Sequence, residues 1–163
     1  MKKKRITIRQ IKQNDNPQIA KVIREVLTEH GVDRPGTVFT DPTTDSLFEL
    51  FQKRGAFYFV VEQDGDILGG AGIYPTSGLP SGCVELVKIY LHASLRGEGL
   101  GQQLMQLSID KAIEFGFSSI YLETMPELSN AIGLYEKMGF VQLMSALGNS
   151  GHFACDLWML KQL

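Results

Sequence analysis

Two hydrophobic periods, one near two residues and one near 3.6, alternate along this chain, and the switches between them mark out its elements. Residues 5–11 read as a strand, with Ile6 and Ile8 set among polar neighbours. Asn16-Pro17 then predicts an N-cap followed by proline at the first helical position. Ile19, Val22, Ile23, Val26 and Leu27 fall at the spacing of an amphipathic helix, and Gly31 ends it as a left-handed cap. Residues 32–45 are polar and contain proline. A short second helix carries Leu47, Leu50 and Phe51 and stops at Gly55. Residues 57–63 and 66–74 read as strands joined by the hairpin signal Asp64-Gly65, and 75–82 as a turn-rich loop. A strongly apolar, β-branched strand follows over 84–91. Residues 99–115 predict a helix with Met105, Ile109, Ala112 and Ile113 on one face, ended by Gly116. A short strand at 119–123 precedes a helix over 130–138, whose Gly139-Phe140 stop has a Schellman pattern. Strands at 141–144 and 152–160, with the glycine-rich loop 147–151 between them, complete the pattern. Trp158, Phe153 and Met159 are read there as core.

The resulting order is β-α-α-β-β-β-α-β-α-β-β. Hairpins in the first half and strand–helix alternation in the second predict a mixed sheet with helices on its faces, an α/β (α+β) domain. No internal boundary or repeat is visible, so residues 1–163 are read as one domain.

Composition narrows the function classes. The 163 residues are 44% hydrophobic and 21% charged, an ordinary globular balance. A net charge of −2 lacks the basic excess of a nucleic-acid surface and suits a cationic acceptor better than an anionic one. Cys83 and Cys155 are far apart with no CxxC, as in a reduced intracellular protein with two core-type thiols. His30, His92 and His152 have no ligand-like spacing, so no metal is expected. Lys2-Lys3-Lys4-Arg5 precedes a strand and not an apolar signal segment, and no apolar run approaches the ~18 residues of a membrane span. A cytoplasmic protein without membrane or nucleic-acid partners is expected.

The candidate chemistry lies in Arg96-Gly97-Glu98-Gly99-Leu100-Gly101, between the apolar strand and the helix. Glycines let the backbone turn tightly with its N–H groups unshielded, and a helix start favours an anion such as a pyrophosphate. A P-loop would require Lys followed by Ser or Thr after these glycines, and neither is present. A dinucleotide fingerprint counted from Gly99 meets Leu104 where its third glycine belongs, although Glu123 stands where a ribose-binding acid would sit.

Arg-x-x-Gly-x-Gly entering a helix after an apolar strand resembles the acetyl-CoA loop of the GNAT superfamily, the Gcn5-related N-acetyltransferases. Asn130-Ala-Ile-Gly-Leu-Tyr135-Glu-Lys-Met-Gly139-Phe140 is similar to a helix of that family, and the element order matches over almost the whole chain. The resemblance implies a central mixed, mostly antiparallel sheet of six to seven strands flanked by about four helices. It implies acetyl-CoA as co-substrate, its pantetheine arm beside the strand that holds Ile89, Tyr90 and Leu91. The N–H of Ile89 would face the thioester carbonyl and steady an oxyanion. The segment Arg96, Gly97, Glu98, Gly99, Leu100, Gly101 and Gln102 would wrap the pyrophosphate, with Arg96 adding a charge or simply capping the loop. Asn130 would contact the CoA arm or cap its helix.

An ammonium acceptor must lose a proton before it attacks. Glu85 is the first candidate base: it alternates with Val87, Ile89 and Leu91, so it is expected on an apolar face where desolvation makes it more basic. Its place before Arg96 also resembles the glutamate of the histone-acetylating branch, and Glu123 is the second choice. Tyr135 resembles the tyrosine that protonates the departing thiolate. The acceptor is expected near residues 32–45, 75–82 and 147–151, with His152 read as a strand-start residue.

The sequence thus predicts an N-acetyltransferase acting on a primary amine by direct attack. The acceptor is a small molecule or a protein amino group, and the enzyme a monomer or homodimer. A non-catalytic acyl-CoA-binding sensor with the same fold is the alternative, and a nucleotide-binding enzyme a third reading.

Overall fold

The computed structural model describes residues 4–125, 129–151 and 154–163, with backbone alone at 129 and 130. The expectations placed on Lys2, Lys3, His152, Phe153 and the Asn130 side chain lie outside the described residues. The elements run β1 (Ile6–Gln10), α1 (Asn16–Glu29), α2 (Leu47–Leu50), β2 (Phe57–Gln63), β3 (Asp66–Tyr74), β4 (Cys83–Leu91), α3 (Leu100–Glu114), β5 (Ser119–Thr124), α4 (Ser129–Lys137), β6 (Val141–Leu143) and β7 (Leu157–Gln162). That is the order the pattern predicts. One seven-stranded sheet, β1-β2-β3-β4-β5-β7-β6, holds every strand. Its neighbours are antiparallel except for β4 and β5. The Asp64-Gly65 hairpin has positive φ at both central residues, the backbone of a type I′ turn.

The helices split between the two faces. The α1 stripe Ile19, Val22, Ile23, Val26 and Leu27 is buried as predicted, and Ile19, Ile23 and Leu27 join α2, Tyr58, Val60, Val87 and Tyr90 in one core. On the other face α3 and α4 cover Val84, Leu86, Ile120 and Leu122. There the predicted stripe needs one correction: Ile113 is exposed, and Leu100, Leu104, Met105, Ser108, Ile109 and Ala112 form the buried face. The buried Ser108 is tolerated because its hydroxyl donates to the Leu104 carbonyl at 2.8 Å.

Three other details depart from the pattern. Residues 32–45 contain two short 3-10 turns, Val38–Thr40 and Pro42–Ser46. β7 begins at Leu157, and residues 154–156 of the expected strand lie outside it. Asn16 does not cap α1, where Asp15 is the N-cap residue. Its side chain accepts the Phe48 N–H at 2.8 Å and donates to Glu49 at 2.8 Å, tethering α2 to the start of α1. Asp15 itself is held by both Arg9 guanidinium nitrogens at 2.8 and 3.0 Å and by the Lys12 amide at 2.7 Å. Burial alone would raise its pKa, but these donors outweigh it and leave the carboxyl below its ordinary 3.8.

Candidate active site

The site is made where β4 parts from β5. The parallel ladder covers only Cys83, Val84 and Glu85 against Ser119, Ile120 and Tyr121. Beyond Glu85 the two strands are unpaired among the described residues, so the β5 side of β4 is open backbone. A bulge on the other edge of β4 follows directly. Gly70 pairs with Tyr90 but Gly72 with Val87, so β4 holds one more residue than β3 over this stretch. Lys88 occupies it in a left-handed conformation, φ 52°, which a non-glycine residue adopts only against strain.

Tyr58 holds the bulge. Its hydroxyl donates to the Lys88 carbonyl at 2.7 Å from a fully buried position. The ring crosses β3 where glycine removes every side chain: a Cβ on Gly70 would lie 2.5 Å from the Tyr58 ring, and one on Gly72 2.7 Å from it.

The extra residue also reverses the side-chain alternation. Val87 and Tyr90 face α1, whereas Val84, Leu86 and Ile89 pack on the α3 side. The predicted series Glu85, Val87, Ile89, Leu91 is therefore broken: Glu85 does not share a face with Ile89 and Leu91. The burial expected of Glu85 holds nonetheless. It is 3% exposed, with its Oε1 accepting the Thr76 hydroxyl at 2.6 Å.

Two cavities meet here. The larger, about 400 Å³, is lined by the end of α1 (Val26, His30), by Ile89, Tyr90 and Leu91, by the loop and first turn of α3, and by Ala131, Leu134 and Tyr135 of α4. Of the predicted donor-side residues, Ile89, Tyr90, Leu91, Arg96, Gly97, Gly99, Leu100, Gly101 and Gln102 all line it. Gly97 and Gly99 have φ of 80° and 75°, and an added Cβ would meet nothing within 4 Å at either, so no side chain crowds the loop there. The first intrahelical bond of α3 runs from Gln103 N–H to the Gly99 carbonyl at 3.1 Å. The amides before it make an anion-receptive helix start.

Two loop side chains act differently from the simplest expectation. Arg96 spends its guanidinium on both Glu29 oxygens and on the Leu91 carbonyl at 3.2 Å, so it ties α1 to the end of β4. That is the loop-capping alternative, and the pair holds the Glu29 carboxyl below its usual range. Glu98, between the two left-handed glycines, is exposed and does not line the cleft. The loop presents backbone, not charge.

The smaller cavity, about 50 Å³, lies on the β4–β5 gap and is lined by Thr37, Glu85, Lys88, Glu123, Met125 and Cys155 among others. Glu123 is already engaged: Tyr121 donates to one oxygen at 2.7 Å and Ser150 to the other. Leu147 N–H reaches the Tyr121 hydroxyl at 3.2 Å, which fastens the loop 147–151 over β5. Thr37, Lys88 and Cys155 were not picked out by sequence reasoning. Lys88 had one signal, a lone cation in the apolar run Val87–Tyr90; the others had none.

Tyr135 lines both cavities. Its position follows from the predicted helix stop. Phe140 N–H bonds the Tyr135 carbonyl at 3.0 Å and Gly139 N–H the Glu136 carbonyl at 3.0 Å, a complete Schellman motif. The accompanying apolar contact is Tyr135 on Phe140, ring centroids 6.0 Å apart. Burial pushes the Tyr135 phenol up, so it stays protonated. Cys155 is likewise pushed up to about 12 by burial and then by Glu123 and Glu85, which leaves it a protonated, weak nucleophile. Among the described residues no group of three His, Cys, Asp or Glu could hold a metal, and no helix is long and apolar enough to cross a membrane.

Comparison with known proteins agrees with this geometry. Residues 23–140 match the model of the acetyltransferase (GNAT) family. The chain is 41% identical over 157 residues to the uncharacterized N-acetyltransferase YjgM of Escherichia coli (strain K12), covering 96% of this chain and 94% of that protein. Its fold matches a GNAT-family acetyltransferase of Staphylococcus aureus with a TM-score of 0.86, 16% identity and 98% and 99% of the two chains covered. It also matches yncA of Salmonella typhimurium, solved with its cofactor acetyl-CoA, with a TM-score of 0.71, 24% identity and 98% and 94% covered. By sequence along most of its length, and by a mostly antiparallel seven-stranded sheet that opens beside a glycine loop, the chain belongs to the acetyltransferase (GNAT) family.

Proposed function

We propose that this GNAT chain is an N-acetyltransferase that moves an acetyl group from acetyl-CoA to a primary amine by direct attack. The observation that carries the reading is the meeting of the two cavities at Tyr135: a long cleft with an amide-lined anion cradle opens onto a small pocket holding a buried carboxylate. Bound acetyl-CoA would supply the activated acetyl group. The residues present fit it: open β4 backbone for an extended arm, and the amides of the Gly97–Gly101 loop for a pyrophosphate.

The chain's own groups then have distinct tasks. The Ile89 N–H, next to the bulge, would polarise a carbonyl lying along β4. Glu85, buried and steadied by Thr76, receives the proton that an ammonium acceptor must lose. Tyr135, kept protonated by burial, holds a proton for the departing thiolate. The protonated Cys155 gives no support to a covalent acyl-enzyme, which favours direct attack.

The test is thiol release from acetyl-CoA across an amine panel. Glu85→Gln should lower kcat about a hundredfold and Tyr135→Phe at least tenfold, within the usual range for a positioned acid or base, while CoA still binds. If CoA binds tightly and no amine is turned over, the chain is a sensor and the proposal is wrong.

A further inference from the structure

The small pocket is lined by a cation, Lys88, that no group among the described residues hydrogen-bonds. The Lys88 side chain is 4% exposed and lines the pocket. Its ammonium has three N–H donors. Among the described residues its one ionic partner is Asp41, with Nζ 3.9 Å from Oδ2, too far for a hydrogen bond, and no hydrogen bond to Nζ is made. Burial depresses the Lys88 pKa, and Asp41 and Glu85 only partly restore it. Its stem is buried while its donors face the pocket, so a ligand acceptor there would replace solvent with a charge-assisted hydrogen bond.

The carboxylates around it are in the opposite condition. Glu123 receives Tyr121 and Ser150. Asp41 Oδ1 receives both the amide and the hydroxyl of Thr43, at 2.9 and 2.6 Å. Glu85 receives Thr76. What the pocket lacks is a hydrogen-bond acceptor for Lys88, not another cation. A dicationic acceptor would press a second ammonium against one already poorly neutralised. A carboxylate would satisfy Lys88, while the amine of the same small molecule faces Glu85.

We propose that the acceptor is an α-amino acid or a similarly compact aminocarboxylate, its carboxylate bound by Lys88 and its amine delivered to Glu85. This inference rests on the acetyl-transfer reading for the role of Glu85, but Lys88 makes it testable apart from turnover. The pocket volume of about 50 Å³ suits a head group of that size.

The experiment is calorimetric titration of the CoA-loaded full chain with the twenty common L-amino acids and their α-carboxamides, alongside thiol release with acetyl-CoA. The carboxamides keep the amine and remove only the charge that Lys88 recognises. At least one amino acid should bind, with its carboxamide at least about tenfold weaker, because a buried donor left unpaired rejects the analogue strongly. Lys88→Met should cost the amino acid about a hundredfold and erase its advantage over the carboxamide. Lys88→Arg, which keeps the charge, should retain part of that advantage. Equal binding of acids and carboxamides, binding of no amino acid, or an equal loss of both in Lys88→Met would overturn the inference. If Lys88→Met does not fold, the acid–carboxamide ratio in the unmodified chain decides alone. Discrimination without thiol release would leave the carboxylate site at Lys88 standing and sink acetyl transfer, and with it the amino acid's role as acceptor.

Discussion

Removing a single buried oxygen, in Tyr58→Phe, tests whether the β4 bulge is what shapes the donor cleft. The Tyr58 hydroxyl donates to the Lys88 carbonyl at 2.7 Å inside the core. Without it the carbonyl is left unpaired at a cost of about 1–3 kcal/mol. A chain of this size loses about 2–4 °C per kcal/mol, so the melting temperature should fall by roughly 2–12 °C. Stability alone would not be informative, so the second measurement is CoA affinity by calorimetry. Lys88 holds a strained left-handed φ, and without its latch the bulge should relax and shift Ile89, which lines the cleft. CoA should then bind at least about fivefold more weakly, the consequence of roughly 1 kcal/mol lost from the binding-competent backbone. Tyr121→Phe is the control. It also deletes a buried hydroxyl, one that donates to Glu123 and receives Leu147 N–H, whereas the Tyr58 hydroxyl bonds the bulge itself. It should lose comparable stability and keep CoA affinity within about twofold of the unmodified chain. If Tyr58→Phe is destabilised to the same degree but binds CoA as the control does, the bulge does not depend on its latch and the account of the cleft is wrong.

Two further outcomes follow from particular contacts. Gly99→Ala forces a left-handed φ of 75° on a residue with a Cβ. It should cost about 1–2 kcal/mol of stability and weaken CoA binding at least tenfold, while Gly116→Ala, with φ 88° at the far end of α3, costs the same stability and leaves CoA binding intact. Equal effects on CoA would show that the loop amides bind no phosphate. Asp15→Asn loses the fork from Arg9 and should cost about 1–3 kcal/mol at pH 7. The folded Asp15 pKa is depressed below 3.8, so its stabilisation is full above that value and disappears as the pH falls through the folded pKa. Urea unfolding should show the gap between variant and unmodified chain closing below about pH 4; a gap constant down to pH 3 would exclude this linkage.

Legibility in the sequence followed the range of the forces involved. Local signals were read correctly: the α1 stripe, the Asp64-Gly65 turn, and Gly31, Gly116 and Gly139 as helix stops all depend on residues within one turn of each other. The glycine loop was legible for the same reason, since φ and helix start are set within it. Long-range pairings were not. Arg96 is bound to Glu29, 67 residues away, and Asn16 caps a helix 32 residues on; no pattern in either neighbourhood announces its partner. Glu85 shows how a local rule gives a right answer for a wrong reason. Strict alternation along 85, 87, 89 and 91 predicts burial, and Glu85 is buried, but the one-residue bulge places it on the opposite face from Ile89. That bulge arises from pairing with β3, so it cannot be read from β4 alone.

The same bulge unites both halves of the site, and its energetics argue that it is retained for function. A left-handed lysine costs on the order of 1–3 kcal/mol in backbone strain, and burying its ammonium with one distant carboxylate costs more. Tyr58 and the side-chain-free passage across Gly70 and Gly72 offset part of this, at the further expense of a weakened strand. A strand built for stability alone would place an apolar residue at 88 and continue its ladder with β5. Instead the ladder stops at Glu85, and the extra residue that follows turns Ile89 and Leu91 to the α3 side and leaves Lys88 lining the pocket with Glu85. One insertion thus touches both cavities, Lys88 lining the smaller and Ile89 and Tyr90 lining both. On the proposed reading, the strained residue would join substrate recognition to acyl-donor binding.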